Sequence, residues 1–382
     1  MTLTLGVVGS SAKENEWRLP IHPAHVERIA PGLREHIYLE NGYGERYGVS
    51  DEHLLPLVAG MLSKDQLTAS SDILLMPKPT HSDVRAMRDG QVLWGWPHCV
   101  QDAELTQMAI DKRLTLIAWE AMNHWKSDGS FVVHVFHQNN ELAGYCSVLH
   151  ALVLAGSTGH YGNHMRAAVI GFGNTARGAI TALNSLGISD VTALTMRDIT
   201  AVASPIPAVV LEHLDRVEPA STRTHVVTEE ATVATAEFLA GYDLIVNCVL
   251  QDTDRPLMFV TEEELGLFVP GTVIVDVSCD LGMGFAFAKP TTFEDPTFTV
   301  GDGITYYAVD HSPAYLWNSA TWTISDALIP YLPTVMSGAA GWHNDVTIDK
   351  AIEIQDGVVR NPRILSFQNR TADHPHRMLR AE

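Results

Sequence analysis

Short apolar runs recur through the first 130 residues at the spacing of a parallel sheet. LTLGVVG (3–9), HIYLENG (36–42), DILLMPK (72–78), QVLWGW (91–96) and LTLIAWE (114–120) each form a compact apolar stretch bounded by polar or turn residues, the pattern of buried strands. Between them, PAHVERIAPGL and DAELTQMAIDK carry apolar positions at helical spacing. Strand and helix in alternation predict a parallel sheet with helices on its faces. The stretch NELAGYCSVLHALVLAG (140–156) predicts one long, mostly apolar helix that connects to a second unit.

That second unit begins near residue 166 and repeats the alternation, with strands at AAVIG, VTALT, DLIVNCVL (243–250) and TVIVDVS (272–278). Beyond about residue 311 the pattern turns helical in SPAYLWNSATWTISDALIPYLPTVMSG, then weakens past about 344. The polar end TADHPHRMLRAE is expected to be loose. The predicted fold class is therefore α/β with two parallel-sheet domains. Residues 1–137 and 306–382 form one body, residues 138–305 are inserted into it, and the cleft falls at the junction.

Composition narrows the function. The chain has 382 residues, enough for two domains. Hydrophobic residues make up 46% and charged residues 18%, an ordinary globular balance. Lys and Arg number 25 against 45 Asp and Glu, for a net charge of −20. Such a surface repels nucleic acid and anionic membrane, so neither is an expected partner. An anionic substrate then needs local cations inside a cleft. The four cysteines, Cys99, Cys146, Cys248 and Cys279, are far apart and form no CxxC pair. Neither a disulfide framework nor a structural zinc site is expected, and a reducing cytoplasm is. No signal-peptide pattern and no run of 18 apolar residues is found. There is no HExxH, and His134 with His137 is too thin a pair to imply a metal, so none is expected.

The strand AAVIG runs into Gly171-Phe172-Gly173-Asn174-Thr175-Ala176, followed by a helical pattern and a further strand. In a dinucleotide site Gly171 allows the tight turn, Gly173 lets a pyrophosphate approach the backbone, and Ala176 takes the small position where helix meets strand. The following helix offers N–H groups and a positive dipole end. The acid that would hold the ribose hydroxyls of NAD is expected near residue 195, where the chain has Thr195, with Arg197 just beyond. Loss of the carboxylate removes repulsion of a 2′-phosphate, and Arg197 can pair with it in bidentate fashion. NADPH is the expected cofactor and NADH the lesser alternative. Arg197 as a solvated surface charge, and Asp198 as a register-shifted ribose ligand, remain open.

Four further stretches suggest chemistry at the carboxyl ends of strands, where open α/β sheets bind ligands. AKENEWRLPIHP holds Arg18, ILLMPKP ends in Lys78, LWGWPHCVQD holds His98, and VDVSCDLG holds Asp276 and Asp280. Each has a plainer reading: Arg18 as an ion pair with Glu14 or Glu16, Lys78 as an exposed strand end, His98 as a helix cap, Asp276 as structural.

These blocks, with IAWEAM, GFGNTARG, KPTTFEDPTF and YYAVDHSPA in the same order, resemble the alanine dehydrogenase and transhydrogenase family from about residue 5 to 330. The likeness is greatest to its N5-(carboxyethyl)ornithine synthase branch, through GWPH, AGYCSVLHAL, an Arg-bearing ribose strand and the acidic loop QDTDRP. The resemblance implies two Rossmann-like domains with the cleft between them, and a homo-oligomer. It implies that Arg18 and Lys78 clamp the carboxylate of a 2-oxo acid such as pyruvate. His98 would be the general acid/base and Asp280 would assist proton transfer. Val249 and Leu250 would join Gly171, Gly173, Asn174, Thr175, Ala176, Thr195 and Arg197 around the cofactor. Glu120 matches a family position for which the sequence offers no role. Where alanine dehydrogenases carry Asn-Met-Pro, this chain has Asp310-His311-Ser312-Pro313, and the carboxylate of Asp310 suits the ammonium of a larger amine. The expected activity is NADPH-dependent reduction of an imine formed by a 2-oxo acid and an amino acid. The alternatives are reductive amination with ammonia and a non-catalytic NADP-binding regulatory module.

Overall fold

The structure, a computed structural model, describes residues 2–197, 206 and 209–379. The chain divides into two compact units, Met1–His137 with Trp317–Glu382, and Gln138–Leu316. The chain re-enters the first unit at Trp317, later than the expected 306, because Ile304–Tyr307 is still a strand of the second sheet.

The first unit is built on an eight-stranded sheet. Six parallel strands lie in the order Thr115–Ala118, Val92–Gly95, Ile73–Leu75, Leu5–Val7, Ile37–Glu40 and Gly60–Leu62. Leu5, Val7, Ile73, Leu75, Leu93, Trp94, Leu116 and Ile117 are sealed from solvent. Burial on both faces explains why the strands read as continuous apolar runs rather than alternating ones. Each large side chain so buried contributes about 1.5–3 kcal/mol relative to exposure.

The hairpin Ile352–Gln355 and Val358–Val359 adds to this sheet, antiparallel, along Thr115–Ala118. Its turn is Asp356-Gly357, both at positive φ (51° and 81°), the conformation that the Asp-Gly pair favours in tight hairpins. The segment 370–379 is tied down, against expectation. Arg370 donates to the Gln107 side chain and the His376 carbonyl, and the His376 ring, 1% exposed, accepts the Val359 N–H at 3.1 Å. The expected helix PAHVERIAPGL is likewise broken, into a 3-10 turn at Pro23–Arg28 and one α turn at Pro31–Arg34. Pro31 forces Ala30 out of the helical region.

The second unit carries a nine-stranded sheet. Its six parallel strands run Val209–Arg216, Asp190–Thr195, Arg166–Ile170, Leu244–Asn247, Val273–Asp276 and Ile304–Tyr307. Thr224–Val227 with Thr232–Ala234 extends one edge antiparallel, and Thr297–Val300 the other. Chain order reverses at Arg166–Ile170, which has Asp190–Thr195 on one side and Leu244–Asn247 on the other. Such a switch point opens a crevice beyond the strand ends. The long helix His137–Leu154 forms as expected. Among the described residues no helix is long and apolar enough to cross a membrane.

Candidate functional site

The glycine-rich turn sits at the switch point. Gly171 has φ 103°, a conformation that a side chain resists. A Cβ there would also stand 3.3 Å from the Cys248 carbonyl and 3.4 Å from the Val249 side chain. Gly173 caps the helix Asn174–Ser185 and, having no side chain, accepts none of its first N–H groups. A Cβ at Gly173 would meet nothing within 4 Å, so open space lies over the helix N-terminus. A 12-residue helix with uncapped N–H groups beneath open space fits a pyrophosphate. Ala176 is sealed in the core beside Val246 and Ile180.

Thr195 ends its strand nearly buried, 2% exposed, and its hydroxyl accepts the Arg197 N–H at 3.1 Å. The Arg197 guanidinium reaches back to the Phe172 carbonyl at 3.5 Å, inside the glycine turn itself. Asp198 lies outside the described residues. Val249 lies against the turn, its N–H donating to Asn247 Oδ1 at 3.2 Å, whereas Leu250 is 90% exposed.

Asp276, at the end of its strand, is fully buried. It accepts from Tyr306 Oη at 2.5 Å, Asn247 Nδ2 at 2.9 Å and the Cys279 N–H at 3.1 Å. Burial pushes its carboxyl up to about 6 against these bonds. Through the last of these bonds it holds Cys279, a non-glycine residue at φ 48°, next to Asp280. Burial pushes the Asp280 carboxyl up to about 6 as well. Asp310 Oδ1 accepts from His311 Nδ1 at 2.5 Å.

In the first unit, three adjacent parallel strands deliver Lys78, His98 and Glu120 just beyond their carboxyl ends. Lys78 Nζ lies 2.7 Å from His98 Nε2. An ammonium donating there requires the lone pair on Nε2 and the ring proton on Nδ1. The approach depends on Gly95, where a Cβ would fall 2.0 Å from the Met76 carbonyl. After Lys78, a capping box between Thr80 and Asp83 starts the helix His81–Ala86.

His98 has φ 49°, sparsely populated for a non-glycine residue. The conformation is held by its N–H, which donates to Glu120 Oε1 at 2.7 Å, and by its carbonyl, which accepts from the Gln101 and Asp102 N–H groups at 3.1 Å each. The cap of the next helix, Ala103–Asp111, is Asp102, not the His98 ring, which goes to Lys78. Arg18 is 3% exposed and engages Glu16 through two N–H groups, Nε at 2.8 Å and Nη2 closer, as its ion-pair reading anticipated. Its guanidinium also lies 5.2 Å from the centre of the Trp96 ring.

Sequence reasoning left Glu120 without a role and did not single out Glu353. The structure ties Glu120 to the His98 backbone, and brings up Glu353 on the C-terminal hairpin, 4% exposed. The alternation IEIQ followed by Asp-Gly was the signal for that hairpin.

The chain matches the model of the alanine dehydrogenase/PNT N-terminal domain over residues 7–140 and that of the C-terminal domain over 151–362. It is 24% identical over 371 residues to an alanine dehydrogenase of Mycobacterium tuberculosis (strain ATCC 25618 / H37Rv), covering 94% of this chain and 95% of that protein. It is 27% identical over 338 residues to an alanine dehydrogenase of Methanococcus maripaludis, covering 85% of each. A third relative, the N(5)-(carboxyethyl)ornithine synthase of Clostridium botulinum, is 23% identical over 325 residues, covering 82% and 89%. Among solved structures, an L-alanine dehydrogenase matches with a TM-score of 0.72 at 21% identity, over 96% of this chain and 99% of that one. The transhydrogenase from Sinorhizobium meliloti matches with a TM-score of 0.68 at 19% identity, over 93% and 99%. These likenesses establish the two-domain, mostly parallel α/β fold.

Proposed function

Because this chain belongs to the alanine dehydrogenase/PNT family, we propose that it is an NADPH-dependent oxidoreductase that reduces the imine formed between a 2-oxo acid, pyruvate foremost, and the amino group of an amino acid. The observation that carries this reading is the 2.7 Å contact of Lys78 with His98 at the ends of neighbouring strands. It sets a carboxylate-binding cation beside a proton-transfer group in an otherwise acidic protein.

A substrate carboxylate arriving at Lys78 draws the ammonium to itself and frees Nε2 of His98 to take a proton. His98 then donates that proton to the departing hydroxyl of the carbinolamine, a step suited to an imidazole near neutral pH. Arg18 keeps two N–H directions on Glu16 and offers the remaining donors of its planar fork to the same carboxylate. Asp280, with a carboxyl that titrates near 6, moves the proton of the attacking amine. Asp310 faces the ammonium of the second amino acid with one oxygen while His311 holds the other. Reduced nicotinamide, when bound, supplies the hydride. Arg197 and Thr195 at the glycine turn support NADPH as its carrier.

Reductive amination with ammonia is the second reading, favoured by the alanine dehydrogenases among the relatives. The test is to follow NADPH absorbance with pyruvate and ammonia, then with single amino acids, and to weigh the products by mass spectrometry. A secondary-amine product formed faster with an amino acid than with ammonia supports the first reading. Comparable efficiency with ammonia alone moves the assignment to the second. Tight NADPH binding without turnover on any amine overturns both and leaves a nucleotide-binding module.

A further inference from the structure

Two side chains late in the chain grip the turn that carries His98, and the reaction above does not use them. The helix Pro362–Phe367 starts at Asn361, whose Oδ1 accepts the Arg363 N–H at 3.0 Å and whose Nδ2 donates to Glu353 Oε1 at 2.9 Å. Ile364, sealed from solvent, packs this helix into the same core cluster as Cys99, the residue after His98. The helix ends at Gln368, and its docking brings the Gln368 side chain onto the His98 turn.

Gln368 Nε2 donates to the Cys99 carbonyl at 2.6 Å and to the Val100 carbonyl at 3.2 Å. It also lies 3.3 Å from Thr106 Oγ1, whose hydroxyl donates to the Cys99 carbonyl at 2.8 Å. Arg370 fixes which way the amide faces. Its Nε can only donate, and it meets Gln368 Oε1 at 2.6 Å, so the N–H groups of Gln368 face the carbonyls. Arg370 is buried and also reaches the Gln107 side chain at 2.7 Å and the Ala103 carbonyl at 3.1 Å, both on the helix that follows the turn.

The backbone of His98 gives this grip its consequence. A φ of 49° is sparsely populated, so the residue relaxes wherever the flanking peptides are free to turn. The peptide joining Val100 to Gln101 is held at both ends, its carbonyl by Gln368 and its N–H by the His98 carbonyl. The peptide before it is held at the Cys99 carbonyl. Neither plane turns without breaking a hydrogen bond, and the imidazole stays aimed at Lys78 Nζ. We propose that Gln368, oriented by Arg370, is a positioning residue for His98. The inference deepens the proposed function and rests on His98 as its acid/base group. Both side chains lie beyond residue 362, where the match to the family model ends, so nothing in that match assigns them a role.

The test has two arms. Gln368→Met keeps the length and bulk of the side chain and removes its donors. Gln368→Glu removes the donors but keeps an acceptor for Arg370, so the tail stays docked. Hydrogen–deuterium exchange of the resting full-length protein, read on peptides covering 97–103, reports the amides of His98, Gln101 and Asp102. Exchange there is expected to rise about tenfold or more in both variants, the scale of one lost hydrogen bond, with the strand Val92–Gly95 unchanged. Rates within about twofold of wild type in either variant, or equal acceleration of strand and turn, overturn the brace. The second arm is kinetic. In both variants kcat is expected to fall about tenfold or more while KM for NADPH stays within about twofold. Added to His98→Ala, Gln368→Met costs no more than about twofold further, since it acts through His98. A wild-type kcat despite a loosened turn, or losses that multiply in the double variant, overturn the positioning role. The exchange arm needs no turnover, so failure of the brace is distinguishable from failure of the catalytic reading, which shows as a kcat near wild type in His98→Ala.

Discussion

Arg197→Ala isolates the choice of coenzyme. In the free protein the guanidinium is exposed and makes a long contact, 3.5 Å, with the Phe172 carbonyl. Truncation therefore removes little from the unliganded state, and the loss falls on the bound state. A charge-assisted hydrogen bond to phosphate is worth about 1.5–3 kcal/mol. Solvent exposure places Arg197 in the lower part of that range, about 1.5–2 kcal/mol. At about 1.4 kcal/mol per decade this is a ten- to thirtyfold rise in Kd for NADPH. NADH lacks the 2′-phosphate, so its Kd is expected to stay within about twofold. Fluorescence titrations of both coenzymes, wild type against variant at one ionic strength, measure the difference. Added salt should narrow the wild-type preference, since an exposed ion pair is screened. Equal weakening of NADPH and NADH, or no weakening of either, would refute the phosphate contact.

Two further outcomes follow from the same geometry. His98→Ala is expected to lower kcat by about 100-fold or more, the usual scale for losing a general acid/base; a kcat within a few-fold of wild type removes His98 from the mechanism. The Asp276 carboxyl is raised to about 6 in the fold against about 3.9 in an unfolded chain. Between those values the folded protein holds a proton that the unfolded chain releases, so this group lowers stability as pH rises from about 4 to about 6, by some 2–3 kcal/mol, and is level above. Asp276→Asn removes that slope, and urea midpoints for variant and wild type should diverge across this window and run parallel from pH 7 to 9; parallel curves throughout would refute it.

The parallel strands and the glycine turn were legible because their signals are local. A buried parallel strand must be apolar on both faces, and Gly171 must be glycine at φ 103°. Lys78 and His98 were legible as residues at strand ends, but their contact was not, since it depends on strand order and on the missing Cβ of Gly95. Glu353 was hidden for a different reason. Its hairpin has strands of four and two residues, too short for periodicity to stand out, and its partner strand lies at Thr115–Ala118. The tail 371–379 looked loose because it is polar, yet Arg370 and His376 bury those polar groups in hydrogen bonds that no hydropathy pattern encodes.

The pairing of Ile117 with Ile352 has an implication for synthesis. As the chain leaves the ribosome, the first six strands can associate long before the closing hairpin is made, and the whole second unit must emerge in between. Throughout that interval the flank of Thr115–Ala118 offers bare N–H and C=O groups to any extended peptide nearby. Only when the last segment arrives does the hairpin cover this flank.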